Sequence, residues 1–246
     1  NYTVSYRGRG RAHRAMGNYQ LAIDDLTEAI RTDPEYTLGY NSRGLVYEDM
    51  GNYQLAIDDY TEAIRTDPEY ARAYANRGDA YRKWEKYQAA LDDLNEAIRI
   101  DPQLAYCYSV RARTHRDMGN YQAAIDDLNE TIRIDPESGQ RYNMRGFLHD
   151  LMGNYQLAIE DCNESLRLRP DNYNTYDTRA LTYLHMQEYH KALDDYNEAI
   201  RLNPEYVRAY FYRSKTHKEL GNDEQADADY AEAIRLDPGL ADKEDG

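Results

Sequence analysis

The sequence is poor in the residues on which secreted, metal-binding and membrane proteins depend. It has 2 cysteines in 246 residues, Cys107 and Cys162, and neither forms part of a Cys-x-x-Cys pair. A disulfide framework and a cysteine metal site are therefore disfavoured. No apolar run approaches the roughly 20 residues that a membrane helix needs. We accordingly predict a cytoplasmic protein, in a reducing compartment, with no membrane segment.

Proline is scarce as well, and its positions show how the chain is organised. Successive prolines are always 34 residues apart, and the 7 prolines are Pro34, Pro68, Pro102, Pro136, Pro170, Pro204 and Pro238. A fixed period of this kind is the signature of a repeat array. It predicts a single domain over 1–246 with the repeats 3–36, 37–70, 71–104, 105–138, 139–172, 173–206 and 207–240, followed by an acidic tail at 241–246. Because the chain lacks an initiator methionine, we expect a piece of a longer array.

Each repeat has the pattern of two helices. In the third repeat, Tyr74, Gly78 and Tyr81 lie three or four residues apart, which is the spacing of one helix face. A second run with this spacing begins at Tyr87 and ends before Pro102, because proline disfavours helical geometry in the residue that precedes it. We call these the first and second helix of a repeat.

The residue between the two helices is usually glycine, which suits a left-handed helix end. The glycines are Gly17, Gly51, Gly119, Gly153 and Gly221. Glu85 and Gln187 occupy this position in the other repeats. We therefore expect those two turns to be strained or closed differently.

These motifs resemble the tetratricopeptide repeat family along essentially the whole chain. In the second repeat the family's positions hold Tyr40, Arg43, Gly44 and Tyr47 on the first helix, and Ala56, Tyr60, Ala63 and Pro68 on the second. The resemblance implies an all-α fold, a right-handed superhelical α-solenoid of antiparallel helix pairs. It also implies that the first helices line a concave groove.

One position departs from the family systematically, because arginine stands where leucine is usual. These arginines are Arg9, Arg43, Arg77, Arg111, Arg145, Arg179 and Arg213, and a matching aspartate recurs on the second helix as Asp25, Asp59, Asp93, Asp127, Asp161, Asp195 and Asp229. An unpaired buried guanidinium would be costly, so we predict a ladder of Arg–Asp pairs. The sequence leaves open whether each pair closes within a repeat or between neighbours. The alternative is an arginine row that binds phosphate groups.

Other chemistry-bearing residues fit the repeat better than an active site. Four of the 6 histidines, His13, His115, His149 and His217, replace the second aromatic of the first helix. They are predicted to be satisfied core imidazoles rather than metal ligands. The sequence also lacks a nucleophile–base set, a glycine-rich phosphate loop and a metal-ligand motif. We predict no catalytic residue, no cofactor and no metal.

Function is expected in the positions that vary between repeats, since the recurring positions hold the stack together. In the N-terminal repeats the groove positions are basic although the chain has a net charge of −15. In the later repeats they are apolar, and exposed apolar clusters mark binding sites. The predicted partner-binding residues are Arg72, Arg82, Arg113, Arg116, Met144, Phe147, Leu151, Leu181, Phe211 and Tyr212. The alternative for Phe147, Met144 and Leu151 is packing between neighbouring first helices.

The sequence therefore predicts a non-catalytic adaptor that binds a partner segment with acidic and apolar anchors. Self-association through the array ends, giving a homo-oligomer, is the main alternative. Capture of a chaperone's C-terminal tail is disfavoured because Arg11 and Ser42 replace two asparagines that the resemblance would require. A pI near 4.8 opposes nucleic-acid binding.

Overall fold

The computed structural model describes residues 2–243, and within this range the protein is built of α-helices. They are α1 (Tyr2–Ala15), α2 (Tyr19–Thr32), α3 (Thr37–Asp49), α4 (Tyr53–Thr66), α5 (Ala71–Lys83), α6 (Tyr87–Ile100), α7 (Ala105–Asp117), α8 (Tyr121–Ile134), α9 (Gly139–Leu151), α10 (Tyr155–Leu168), α11 (Tyr173–His185), α12 (Tyr189–Leu202), α13 (Val207–Glu219) and α14 (Asp223–Leu236). A short 3-10 helix follows at Pro238–Lys243. The all-α fold of packed helix pairs is confirmed. Of the predicted acidic tail, residues 244–246 lie outside the described range.

The helices form two compact units, Asn1–Ile134 and Asp135–Gly246. In both units the first and second helix of each repeat pack against each other, as α1 does with α2 and α9 with α10. Consecutive first helices also touch: α1, α3, α5 and α7 in unit 1, and α9, α11 and α13 in unit 2. We call the surface made by these helices the first-helix face of each unit.

Small residues let the paired helices approach closely. A Cβ atom on Gly44 would lie 2.6 Å from Cε1 of Tyr60, and one on Gly78 would lie 2.9 Å from Cγ of Leu94. Tyr60 and Leu94 are completely buried. A small residue is therefore required at this position of the first helix, because the second helix inserts a bulky side chain opposite it.

The turns confirm the expectation for the two repeats without glycine. Glu85 has a φ of 59° and Gln187 a φ of 61°, close to the φ of 74° at Gly51. A non-glycine residue is strained in this left-handed region because its Cβ crowds the backbone. The repeat geometry thus overrides the local preference of these two residues.

The Arg–Asp ladder is present, and each pair closes within its own repeat. The pairs are Arg9–Asp25, Arg43–Asp59, Arg77–Asp93, Arg111–Asp127, Arg145–Asp161, Arg179–Asp195 and Arg213–Asp229. Arg77 shows the geometry: its Nε donates to Asp93 Oδ2 at 2.7 Å and its Nη2 to Asp93 Oδ1 at 2.8 Å. Burial raises the pKa of Asp93, and the arginine counteracts this rise. The guanidinium groups that a phosphate-binding row would need are occupied.

The same arginines also connect neighbouring repeats. Nη1 of Arg77 donates to Thr61 Oγ1, on the second helix of the preceding repeat, at 2.9 Å. Equivalent bonds run from Arg43 to Thr27 and from Arg179 to Asn163. In these three repeats the guanidinium therefore contributes to helix pairing and to stacking, which a leucine could do only by apolar contact.

The histidines occupy core positions but are not fully satisfied. Nε2 of His149 lies 3.9 Å from Asp161 Oδ2. Its Nδ1 is buried without a hydrogen-bond partner among the described residues, as are those of His13 and His115. Burial lowers the pKa of His149 and His115. The prediction is right about their place in the repeat and wrong about the hydrogen bonding of His13, His115 and His149. His217 differs, because its Nδ1 lies 3.4 Å from Asn222 Nδ2.

Candidate partner-binding surface

Ion pairs join successive first helices in unit 1. Nε of Arg14 lies 2.6 Å from Asp49 Oδ2, and Lys83 Nζ binds both Glu48 and Asp79. Arg14 and Asp49 lie on neighbouring first helices, and so do Lys83 and Glu48. The first-helix face of unit 1 is therefore a network of paired charges, and only the arginines outside it keep an uncompensated charge.

Two of the predicted binding arginines belong to this network. Arg82 has only 13% of its side chain exposed, with Nε 2.9 Å from Asp79 and Nη1 2.9 Å from Asp117. Arg116 lies 2.8 Å from the same Asp117. Their charges are neutralised inside the protein, which weakens the prediction that they recognise acidic groups of a partner.

The other two predicted arginines have no carboxylate partner among residues 2–243. Arg72 is exposed, and its guanidinium lies 5.8 Å from the ring centroid of Tyr106. Arg113 donates from Nε to the backbone oxygen of Ser109 at 3.3 Å. Neither a cation–π contact nor a hydrogen bond to a backbone carbonyl neutralises the positive charge of an arginine. Arg72 and Arg113 are thus available to bind an anion.

A cleft of about 300 Å³ opens on this face beside Arg72. It is lined by Arg7, Arg11, Arg14, Leu38, Asn41, Ser42, Leu45, Tyr70 and Arg72. The predicted site includes only Arg72 of these residues. The groove spacing of Arg7 and Arg11 was visible in the sequence, whereas Tyr70, which precedes α5, shares the cleft only because the repeats stack.

Aromatic and cationic side chains meet on the first-helix face of unit 2. The guanidinium of Arg208 lies 6.0 Å from the ring centroid of Phe147 and 5.5 Å from that of Tyr212. Phe211 stacks edge-on against Tyr212, with ring centroids 5.3 Å apart. Phe147, Phe211 and Tyr212 are all partly buried. The structure brings these predicted residues into one region together with Arg208, which the prediction omitted.

The remaining apolar candidates differ in exposure. Leu151 is 45% exposed, whereas Leu181 is only 6% exposed, and Met144 is partly buried. Phe211 also packs against Tyr230 of the second helix α14, with centroids 6.4 Å apart. Leu181 is therefore covered within the protein, whereas Leu151 keeps an open surface.

Two carboxylates are buried beneath the aromatic residues of unit 2. Asp177 has no exposed side-chain area, and Nη1 of Arg208 lies 2.8 Å from its Oδ2. The hydroxyl of Tyr206 donates to the same oxygen at 3.2 Å. Burial raises the pKa of Asp177 to about 6, although Arg208 opposes the rise. Asp150 accepts a hydrogen bond from His185 Nδ1 at 3.0 Å.

Several buried polar atoms around these carboxylates lack a partner within the described residues. They are Asn143 Oδ1, Asp150 Oδ2, Asp177 Oδ1 and Tyr196 OH. Unsatisfied buried groups cost free energy. This part of unit 2 is consequently less well satisfied than the network of unit 1.

Two other kinds of site can be compared with the structure. Among residues 2–243, no cluster of three or more histidine, cysteine or carboxylate side chains is arranged to hold a metal ion. In the same range, no helix combines the length and the apolar character needed to cross a bilayer.

Family models for tetratricopeptide repeats match most of the chain. The matched residues are 10–51, 41–105, 104–134, 140–172, 178–206 and 207–240. No protein of curated function has a significant sequence match to the chain.

Known structures share the fold at low sequence identity. A tetratricopeptide repeat protein from Parabacteroides merdae aligns with a TM-score of 0.73 at 20% identity, covering 96% of this chain and 93% of its own. The pilF protein of Pseudomonas aeruginosa gives 0.72 at 21%, covering 82% and 92%. YrrB, described as a protein with an unusual peptide-binding site, gives 0.61 at 19%, covering 75% and 95%. These similarities establish the architecture.

Proposed function

Because the chain belongs to the tetratricopeptide repeat family, we propose that it is a non-catalytic scaffold that binds a segment of a partner protein on its first-helix face. The observation that carries the proposal is the lack of a carboxylate partner for Arg72 and Arg113 among the described residues, in a chain with a net charge of −15. These charges would attract acidic groups of the partner.

Unit 2 presents apolar anchors on its own first-helix face. Phe147 and Tyr212 flank Arg208, and Leu151 is 45% exposed. Aromatic side chains contribute strongly to protein interfaces because they bury a large area with few rotatable bonds, and arginine contributes through the planar fork of donors on its guanidinium. A rigid helical scaffold also keeps the ordering cost of binding low. YrrB, with its peptide-binding site, is a precedent for this use of the fold.

The test is affinity capture from the native host's lysate with the parent and three single variants. Phe147→Ala and Arg113→Glu change the first-helix face, and Leu157→Ala is the matched control because Leu157 is 47% exposed on a second helix. We expect a partner that the parent and Leu157→Ala retain and that the two face variants lose. Equal retention by all forms would place binding elsewhere.

Self-association is the second candidate, and α1 provides the observation that favours it. Tyr2, Tyr6 and Arg9 line a hollow of about 330 Å³ on this helix. A second copy could pack its side chains into this hollow. Light scattering tests this: a mass that rises with concentration in the parent, and less in Tyr6→Ser, supports it.

A further inference from the structure

The cleft of unit 1 holds more positive charge than the protein neutralises. Of its four arginines, Arg14 is paired with Asp49. Arg7, Arg11 and Arg72 have no carboxylate partner among the described residues, and no acidic side chain lines the cleft. Arg7 and Arg11 lie one helical turn apart on α1, and Arg72 comes from α5. Three guanidinium groups thus converge from two helices on one concavity.

Hydrogen-bond donors in the cleft are also unused. Nε of Arg7 is buried and has no acceptor among residues 2–243. Nδ2 of Asn76 donates to Asn41 Oδ1 at 2.8 Å, so the carbonyl of Asn41 is engaged while its own amide can still donate. Asn41 is only 5% exposed. A buried donor without an acceptor destabilises the protein, and a bound anion that accepts its hydrogen bond would remove this cost.

Tyr70 adds a hydroxyl to the same site. It lines the cleft, and the positive charges of Arg72 and Arg7 both act on it, opposing the rise in its pKa that burial causes. The hydroxyl therefore lies within the field of both arginines. Together these groups present donors from α1, α3 and the segment before α5 to one ligand.

We propose that this cleft binds the phosphate group of a phosphorylated side chain of the partner protein. A carboxylate carries one negative charge and would leave most of the charge of three guanidinium groups uncompensated. A phosphate monoester carries about −1.5 to −2 charges at pH 7 and offers three strong acceptor oxygens. Arginine is the side chain best suited to such an oxyanion because its planar fork donates two parallel hydrogen bonds. This inference rests on the proposed scaffold function and specifies what the partner must carry.

The acidity of the chain favours a single phosphate over a nucleic-acid backbone. A nucleic acid presents a run of phosphates and needs an extended basic surface. Here the cationic cleft adjoins carboxylates of the same face, including Asp49 and Glu48, in a protein with a net charge of −15. A strand that leaves the cleft would meet like charges, whereas one phosphorylated side chain would not.

The direct test uses three end-blocked tripeptides: Gly-phosphoserine-Gly, Gly-Glu-Gly and Gly-Ser-Gly. Binding is followed by NMR of the arginine Nε–H groups, with melting curves to show that each variant is folded. We expect the phosphoserine peptide to shift the Arg7 signal saturably and to bind at least tenfold more tightly than the glutamate peptide. Arg7→Gln and Arg72→Gln should each weaken it by about tenfold, since a lost charge-assisted hydrogen bond is worth that factor. Arg99→Gln, on the second helix α6 and paired with Glu96, should not.

Three results would overturn the phosphate proposal. The glutamate peptide could bind as tightly as the phosphoserine peptide, Arg7→Gln could leave binding unchanged, or an oligothymidylate could bind at the same arginines more tightly than the peptide. The proposed function is separable from it. If a captured partner survives phosphatase treatment and the Arg7→Gln substitution yet is lost from Phe147→Ala, the scaffold function stands and the phosphate site does not. If the phosphoserine peptide binds but no partner is captured, the phosphate site stands and the scaffold function does not.

Discussion

The two units use the same position on their first helices in different ways. In unit 1, Glu48 pairs with Lys83, and Tyr60 donates its buried hydroxyl to Glu48 at 2.7 Å. In unit 2, the corresponding pair is Asp150 with His185. The hydroxyl of Tyr196, which corresponds to Tyr60, has no partner among the described residues because Leu184 stands where Glu48 does. Unit 1 joins its first helices with permanent charges at this position, whereas unit 2 uses a histidine there and has its permanent charge pair, Arg208 with Asp177, at another position.

This difference separates the positions that are the same in both units from those that vary between them. The Arg–Asp ladder is the same in both units and holds the helices together. The first-helix positions are free to change, so unit 1 gathers uncompensated arginines and unit 2 gathers aromatic rings over buried carboxylates. A family scaffold acquires a specific surface in this way without altering its packing.

The largest effect is expected where the units are alike. Asp93→Ala in unit 1 and Asp195→Ala in unit 2 should each lower the free energy of unfolding by about 4 kcal/mol, because each leaves a largely buried guanidinium unpaired. Urea denaturation measures both. Adding Arg77→Leu to Asp93→Ala should restore part of the loss, since leucine needs no partner. No change in the urea midpoint of Asp93→Ala would refute the structural importance of the ladder.

The carboxylate of Asp177 should make unit 2 respond to pH. Its folded-state pKa of about 6 lies above the ordinary 3.8, so its proton is bound more tightly in the folded state. The resulting stabilisation is present below about pH 4 and is lost as the pH rises through 6. The free energy of unfolding of Asp177→Asn, taken relative to that of the parent, should therefore rise by up to about 3 kcal/mol from pH 4 to pH 7.5. Denaturation at both pH values measures the gain.

Unit 1 provides the contrast for that experiment. Asp79 is paired with both Arg82 and Lys83, so Asp79→Asn should destabilise the protein at pH 7.5 by leaving two cations without their shared acid. If Asp177→Asn behaves like Asp79→Asn, the two faces do not differ as the structure indicates.

The smallest effect is expected at the turns. Glu85→Gly in unit 1 and Gln187→Gly in unit 2 should each raise the free energy of unfolding by about 1 kcal/mol, because glycine adopts the left-handed region without strain. Gly51→Ala, at the same position of another repeat, should lower it by a similar amount. Thermal melts resolve shifts of this size, and a loss of stability in Glu85→Gly would contradict the strain.

Much of the fold could be predicted because the residues of each repeat determine its helices and turns locally. The helix pairs follow from apolar spacings of three and four residues, and the Arg–Asp pairing follows from the cost of burying an unpaired charge. The strain at Glu85 followed from comparison with the glycines of other repeats. Repetition supplied several independent copies of each signal.

The binding surface was less predictable because its properties depend on contacts between repeats. Arg82 and Arg72 occupy similar groove positions in the sequence, yet only Arg82 meets a carboxylate from the next first helix. Leu181 and Leu151 look equally apolar, but neighbouring helices cover only Leu181.

The sequence by itself therefore determined the period, the helix pairs and the paired ladder, since these arise from interactions within a repeat or from its strict recurrence. Only the tertiary structure decided which arginines keep a free charge, which apolar side chains remain open, and that Tyr70 joins Arg7 in one cleft. The physical reason is that burial and charge neutralisation depend on atoms brought together by stacking, from residues far apart in the chain.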